Sequence, residues 1–277
     1  MESVCPALAS ARSPAPSARA DARTEGELVK GGVGQGEVGY VHSFQTGSAV
    51  DGPGLRFVLW TTGCLMRCLY CHNPDTWDLK HGRPLTLDEM MAEIEKYERA
   101  LKITGGGVTV SGGEPLVQAP FVTRLLRACK ERGLHTVLDT NGYLGDRISD
   151  DGLNDVDLVL LDVKSFDAAT HQHVTGMGVD AVLRFARRLS DAGKPAWIRF
   201  VLVPGLTDAP DNVDRLAGFV ATLGNVERVE VLPFHQMGAD KWTLLGRPYP
   251  LADTAPPDRA LIARVESQFA AHGLPVR

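Results

Sequence analysis

Three of the chain's five cysteines lie within eight residues, Cys64-Leu65-Met66-Arg67-Cys68-Leu69-Tyr70-Cys71, in a C-x3-C-x2-C spacing. Thiolates this close can converge on one inorganic centre, and soft sulfur ligands select zinc, copper(I) or iron-sulfur clusters over hard cations. The number of ligands narrows the choice. Structural zinc sites and ordinary 4Fe-4S carriers both use four protein ligands. Cys5 lies in a polar N-terminal stretch and Cys129 on the apolar face of an expected helix, so a centre held by Cys64, Cys68 and Cys71 keeps one position open. An open coordination position is where a metal centre does chemistry.

Three readings of this stretch compete. A structural zinc site would have to recruit His72, but adjacent residues rarely both reach one tetrahedral ion. Cys68-Leu69-Tyr70-Cys71-His72 also spells C-x-x-C-H, the attachment signature of a c-type haem, which would make the chain an exported electron carrier. That role requires a secretory signal and leaves Cys64 without a use. A 4Fe-4S cluster on three cysteines employs all of them.

A βα rhythm must position these residues. Residues 55–60 read as a strand that delivers the chain into Thr61-Thr62-Gly63-Cys64. Thr86 and Glu89 form a capping box ahead of Met90, Ile94, Tyr97 and Leu101, which share one helical face. Val108-Thr109-Val110 is a short strand entering Ser111-Gly112-Gly113-Glu114, and residues 121–132 form an amphipathic helix stopped by Gly133. Cys129 shares a face there with Val122, Leu125 and Leu126, as a core thiol does. Strands at 136–138, 158–161, 197–202 and 229–232 follow, with helices near 179–189 and 260–269.

Six strands alternating with helices imply an α/β fold with parallel pairing and right-handed crossovers. Five of the six carry a chemically active residue just past the C-terminal end, so Cys64, Glu114, Asp139, Lys164 and His235 should converge at one mouth. Six βα units cannot close an eight-stranded barrel, and a partial barrel keeps a lateral opening. Plainer explanations stand beside these. Glycines such as Gly112 and Gly113 make tight turns, and no Lys-Ser or Lys-Thr follows them to complete a Walker motif. Asp139, Thr140 and Asp162 could cap helices, though two acids near one mouth need a counter-charge. Asp51-Gly52-Pro53-Gly54 could be a turn, and a lone His235 could be structural.

With 277 residues, a 44% hydrophobic fraction and a mean hydropathy of -0.08, the chain can bury one core, expected over residues 37–277. No apolar run approaches the roughly 20 residues that span a bilayer. The net charge of -5, with Lys and Arg interleaved among acids, offers no footprint for nucleic acid. Clustered cysteines in odd number argue against a disulfide framework and for a reducing compartment, the cytoplasm. Residues 1–36, rich in Ala, Ser, Pro, Arg and Gly, read as a disordered tail without the apolar run of a signal peptide.

With Tyr70 just before the last cysteine, the chain resembles the radical S-adenosylmethionine (radical SAM) enzymes. Val50-Asp51-Gly52-Pro53-Gly54 and Cys68-Leu69-Tyr70-Cys71-His72-Asn73 bring the likeness closer to activases of glycyl radical enzymes, from about Gly39 to near the C-terminus. The resemblance implies a partial βα barrel and a 4Fe-4S cluster on Cys64, Cys68 and Cys71. It implies that S-adenosylmethionine chelates the open iron beside Tyr70, Cys71 and His72, with its amino group at Gly112, Gly113 and Glu114. Lys164, in Asp162-Val163-Lys164, would meet the cofactor carboxylate and His235 its ribose. Asp139, Thr140 and Asp162 would hold a monovalent cation.

By the same resemblance, one electron from the reduced cluster cleaves the cofactor to a 5'-deoxyadenosyl radical, which abstracts hydrogen from a glycine α-carbon of the protein substrate. Asp51 would contact that glycine loop, and a flavodoxin or ferredoxin-type donor would supply the electron. Activases of other glycyl radical enzymes often carry a cysteine-rich insertion, which is missing between Cys71 and Gly112. The implied partner is therefore pyruvate formate-lyase, with another glycyl radical enzyme as the alternative, and the implied activase is a monomer.

Overall fold

The computed structural model describes residues 35–277, so Cys5 and nearly all of the expected tail over 1–36 lie outside the described residues. Strands are β1 (Val38–Ser48), β2 (Arg56–Thr61), β3 (Arg83–Thr86), β4 (Gly107–Gly112), β5 (His135–Thr140), β6 (Leu158–Asp162), β7 (Ala196–Leu202) and β8 (Val226–Pro233). They form one sheet in the order β3-β1-β2-β4-β5-β6-β7-β8. From β2 onward every pairing is parallel, which gives the six expected strands, while β1 runs antiparallel to both β2 and β3. Neither β1 nor β3 is among the expected strands. β1 carries polar residues and two register shifts, and β3 has only four residues, one of them Pro84. Pairing stabilises both where local pattern is weak.

Helices α1 (Leu87–Glu95), α2 (Glu98–Ile103), α3 (Ala119–Glu131), α4 (Asp150–Asn154), α5 (Ala168–Thr175), α6 (Asp180–Asp191), α7 (Pro210–Ala221), α8 (Ala239–Leu244) and α9 (Arg259–Ala271) complete the chain. The capping box of α1 is present, with Thr86 Oγ1 accepting from Glu89 N at 3.1 Å and Glu89 Oε2 accepting from Thr86 N at 2.8 Å. The single helix expected to run through Leu101 breaks at a turn over Lys96 and Tyr97, where Tyr97 N donates to Ile94 O at 3.0 Å. Its ring instead packs 6.0 Å from that of Phe57. No helix among the described residues is long and apolar enough to cross a membrane.

Alternation sorts each parallel strand. Phe57, Leu59, Val108, Val110, Leu138, Val159 and Leu161 pack outward into the core with the helices, where Cys129 is also fully buried. Val137, Leu158, Leu160 and Trp197 form a separate buried cluster on the inner face. Two residues further along, the same face presents Asp139, Asp162 and Arg199. The sheet curls far enough for Arg199 Nη2 on β7 to donate to the Val50 carbonyl, ahead of β2, at 2.7 Å. Two strand-end loops also meet, with the rings of His72 and His235 4.3 Å apart.

The close approach of strands makes a stability test. A Cβ on Gly107 would lie 1.9 Å from the His135 carbonyl oxygen of the neighbouring strand, whereas one on Gly178 meets nothing within 4 Å. Gly107→Ala is expected to lower unfolding free energy by about 1–3 kcal/mol through overpacking. Gly178→Ala should leave it nearly unchanged, as thermal melts of the two variants will show.

Candidate active site

The loop after β2 carries the three cysteines, and backbone hydrogen bonds from elsewhere in the chain hold its shape. Arg67 N donates to Thr175 O at 2.7 Å and Leu69 N to Val174 O at 3.0 Å, docking the loop on the end of α5. Trp242 Nε1 of α8 donates to the Cys71 carbonyl at 2.9 Å. Met66, 1% exposed, anchors the loop in the core. The three thiols are half-buried and share one cavity of about 500 Å³, within the usual range for small-molecule pockets.

Burial pushes all three thiols up, Cys68 to about 12. Such thiols stay protonated unless a cationic centre stabilises the thiolate, as metal coordination does. Among the described residues no three His, Cys, Asp or Glu side chains gather around a point that could hold one ion. Three soft sulfur donors on one cavity wall suit an iron-sulfur cluster, whereas a closed zinc site needs a fourth ligand. His72 does not turn to the thiols for such a site: its Nε2 lies 3.2 Å from the His235 carbonyl. Burial holds its pKa low, against the hydrogen bond to that carbonyl, which raises it.

Across the cavity stand the ends of the other parallel strands. Gly112 and Gly113 line it, and their lack of Cβ is required by the β2 end, since a Cβ would lie 2.3 Å from Thr61 O or 2.6 Å from Gly63 O. Asp51, Tyr70, Cys71, His72, Asp139, Thr140, Asp162, Lys164 and His235 all reach the wall. Lys164 Nζ donates to Asp162 Oδ2 at 2.6 Å. Burial opposes the ammonium charge, but Asp162, Tyr70 and Cys68 together outweigh it and the pKa of Lys164 is raised.

Two expected site residues are not brought to the cavity wall. Val163 is fully buried in the core because strand alternation turns it away from Asp162 and Lys164. Glu114 is 1% exposed behind the wall, where it accepts from Leu116 N at 3.0 Å, Thr140 Oγ1 at 2.7 Å and Asn141 N at 2.8 Å. It caps one turn and pins another, and the Asn141 it holds places Nδ2 3.9 Å from Cys64 Sγ. Burial raises Glu114 from 4.5 to about 7 against those hydrogen bonds.

Arg199 is the main residue that strand-end reasoning misses. It lines the cavity with Nε 2.9 Å from Glu230 Oε2, Nη1 3.5 Å from Asp139 Oδ2 and 4.0 Å from Asp51 Oδ1. Ser111 Oγ also donates to Asp139 at 2.7 Å. Burial raises the pKa of Asp139, and Arg199 opposes that shift. Arg199 and Lys164 are the cationic groups that stand beside Asp139 and Asp162. A charge in the middle of the apolar run Trp197-Ile198-Arg199-Phe200-Val201 was the available signal.

A partial parallel barrel with three cysteines after its first parallel strand defines a class. Residues 58–217 match the Radical SAM superfamily, and the chain belongs to it. The pyruvate formate-lyase 1-activating enzyme of Escherichia coli (strain K12) is 43% identical over 238 residues, covering 85% of this chain and 97% of its own length. The pyruvate formate-lyase-activating enzyme of Staphylococcus epidermidis is 48% identical over 227 residues, 79% of this chain and 90% of that one. A solved domain of pyruvate-formate lyase-activating enzyme from Bacteroides vulgatus aligns at 27% identity and TM-score 0.53, over 62% of this chain and 98% of that one. A radical SAM methyltransferase from Sphaerobacter thermophilus shares the fold, with TM-score 0.59 at 20% identity over 80% and 65% of the two chains.

Two outcomes are expected. Cys68→Ala should lose iron-sulfur absorbance after anaerobic reconstitution, whereas Cys129→Ala, a core change, should keep it. The second concerns pH. The folded chain holds the Glu114 proton up to about pH 7 while the unfolded chain releases it near 4.5. The folded state binds more protons in that window, so this group's contribution to stability falls as pH rises through it, by on the order of 3 kcal/mol. Urea midpoints at pH 5 and 7.5 should therefore show a smaller decline in Glu114→Gln than in the wild type.

Proposed function

We propose that the chain activates pyruvate formate-lyase by generating a glycyl radical on it. The observation that carries this reading is the gathering of Cys64, Cys68 and Cys71 with Gly112, Gly113, Asp162, Lys164 and His235 around one cavity. The chain that builds it matches pyruvate formate-lyase activating enzymes over most of their length. When bound, the 4Fe-4S cluster and S-adenosylmethionine supply a 5'-deoxyadenosyl radical that can take hydrogen from a glycine α-carbon.

The chain's own residues bind, orient and enclose. Cys64, Cys68 and Cys71 hold the irons on a loop whose backbone is already anchored. Lys164, which donates to Asp162 in this structure, would hold the cofactor carboxylate, and Asp139, Thr140 and Asp162 would offer oxygens to a monovalent cation. Gly112 and Gly113 admit the methionine end closely because nothing projects from them. Tyr70, His72 and His235 wall the adenosine end. Asp51, held by the Ser48 hydroxyl and near Arg199, faces the substrate's glycine loop. The surrounding wall keeps water from the reacting atoms. A flavodoxin or ferredoxin-type protein supplies the electron.

Anaerobic electron paramagnetic resonance tests this directly. Reconstituted protein with reductant, S-adenosylmethionine and pyruvate formate-lyase should give a glycyl radical doublet that vanishes without the cofactor. A reduced-cluster signal with no doublet would retain the radical chemistry and remove the partner.

A further inference from the structure

The turn that follows β5 touches the cysteine loop through one side chain. Asn141 Nδ2 lies 3.9 Å from Cys64 Sγ, a contact between residues 77 apart in sequence. The turn around it is tightly held. Asn141 N donates to Glu114 Oε2 at 2.8 Å, and Tyr143 N donates to Asn141 Oδ1 at 3.0 Å. Thr140 Oγ1 donates to Glu114 Oε1 at 2.7 Å and accepts from Gly142 N at 3.0 Å. Asn141 is 8% exposed and Glu114 1%, so water has little access to the contact.

The bond from Tyr143 N decides which way the Asn141 amide faces. A backbone N–H needs an acceptor, so Oδ1 takes that position and the NH2 group is left toward the sulfur. Glu114 does not compete for it. Oε1 already accepts from Leu116 N and Thr140 Oγ1, and Oε2 from Asn141 N. Among the described residues Cys64 Sγ is the hydrogen-bond partner of Asn141 Nδ2. A neutral donor is thus fixed against one of the three thiols, by bonds that do not involve the thiol itself.

Adding one electron to a cysteine-bound cluster makes its sulfurs more negative. An N–H aimed at such a sulfur therefore favours the reduced state and raises the reduction potential, and more so in a buried site than in water. We propose that Asn141 is a potential-setting residue: its side-chain amide donates to the Cys64 sulfur of the bound cluster and stabilises the one-electron-reduced form. Glu114 then acts on the cluster through Asn141 rather than by contact. The assignment rests on the 4Fe-4S reading of Cys64, Cys68 and Cys71.

The test is the midpoint potential of the cluster, not turnover. Full-length wild type, Asn141→Ser and Asn141→Asp are reconstituted anaerobically and matched for iron and sulfide. Mediated electrochemical titrations without S-adenosylmethionine then follow the reduced cluster by electron paramagnetic resonance. Serine and aspartate both keep a side-chain oxygen for Tyr143 N, so the turn is retained while the N–H is lost. At the wild-type midpoint the ratio of reduced to oxidised cluster should fall about tenfold in each variant, a midpoint about 59 mV more negative. Either variant that carries a full cluster at the wild-type midpoint overturns the assignment, and so does failure of both to assemble one, which would make Asn141 a residue of cluster assembly. A wild type that shows no reducible cluster overturns the 4Fe-4S reading itself.

Discussion

A guanidinium buried inside a curved sheet has to be paired, and Arg199 draws its partners from three places in the chain. Glu230 comes from β8, Asp139 from β5, and Asp51 with the Val50 carbonyl from the segment ahead of β2. Removing one partner of such a set leaves an uncompensated buried charge, which costs about 3–5 kcal/mol. The pairing therefore also fixes the curl of the sheet. Only a strongly coiled arrangement lets a side chain on β7 reach the segment that precedes β2. The cavity above, and the lateral opening beside it, depend on that geometry.

The cysteine loop is organised by a different force. Its shape comes from backbone groups on the end of α5, from the Trp242 indole and from buried Met66. Ligands held this way are in place before a cluster binds, which lowers the ordering entropy of assembly. Glu114 extends the same logic. Its carboxylate holds Thr140 and Asn141, and through Asn141 it borders Cys64, so an acid at a strand end acts as an internal brace.

Charge also separates the two ends of the cavity. Lys164 and Arg199 each sit against a carboxylate, keeping both acids compensated on the inner face. The outer face of the cysteine loop carries arginines without such partners among the described residues. Internal neutrality suits a cavity that must accept a charged cofactor without a large reorganisation.

The radical chemistry was legible because ligand type and spacing are local properties: Cys64, Cys68 and Cys71 identify their centre wherever the chain folds. The six parallel strands were legible too, since β6 and β7 are apolar except for Asp162 and Arg199 and largely buried on both faces. The edge strands β1 and β3 were not, because partners rather than composition make them strands. Val163 could have been set aside by alternation alone. Glu114 and Arg199 could not be assigned from sequence. Whether a carboxylate faces a cavity or braces a turn, and what neutralises it, depends on groups 26 to 149 residues away. The sequence by itself determined the centre and the order of the strands; tertiary structure decided which charges meet inside them, because burial makes pairing obligatory only once distant segments are brought together.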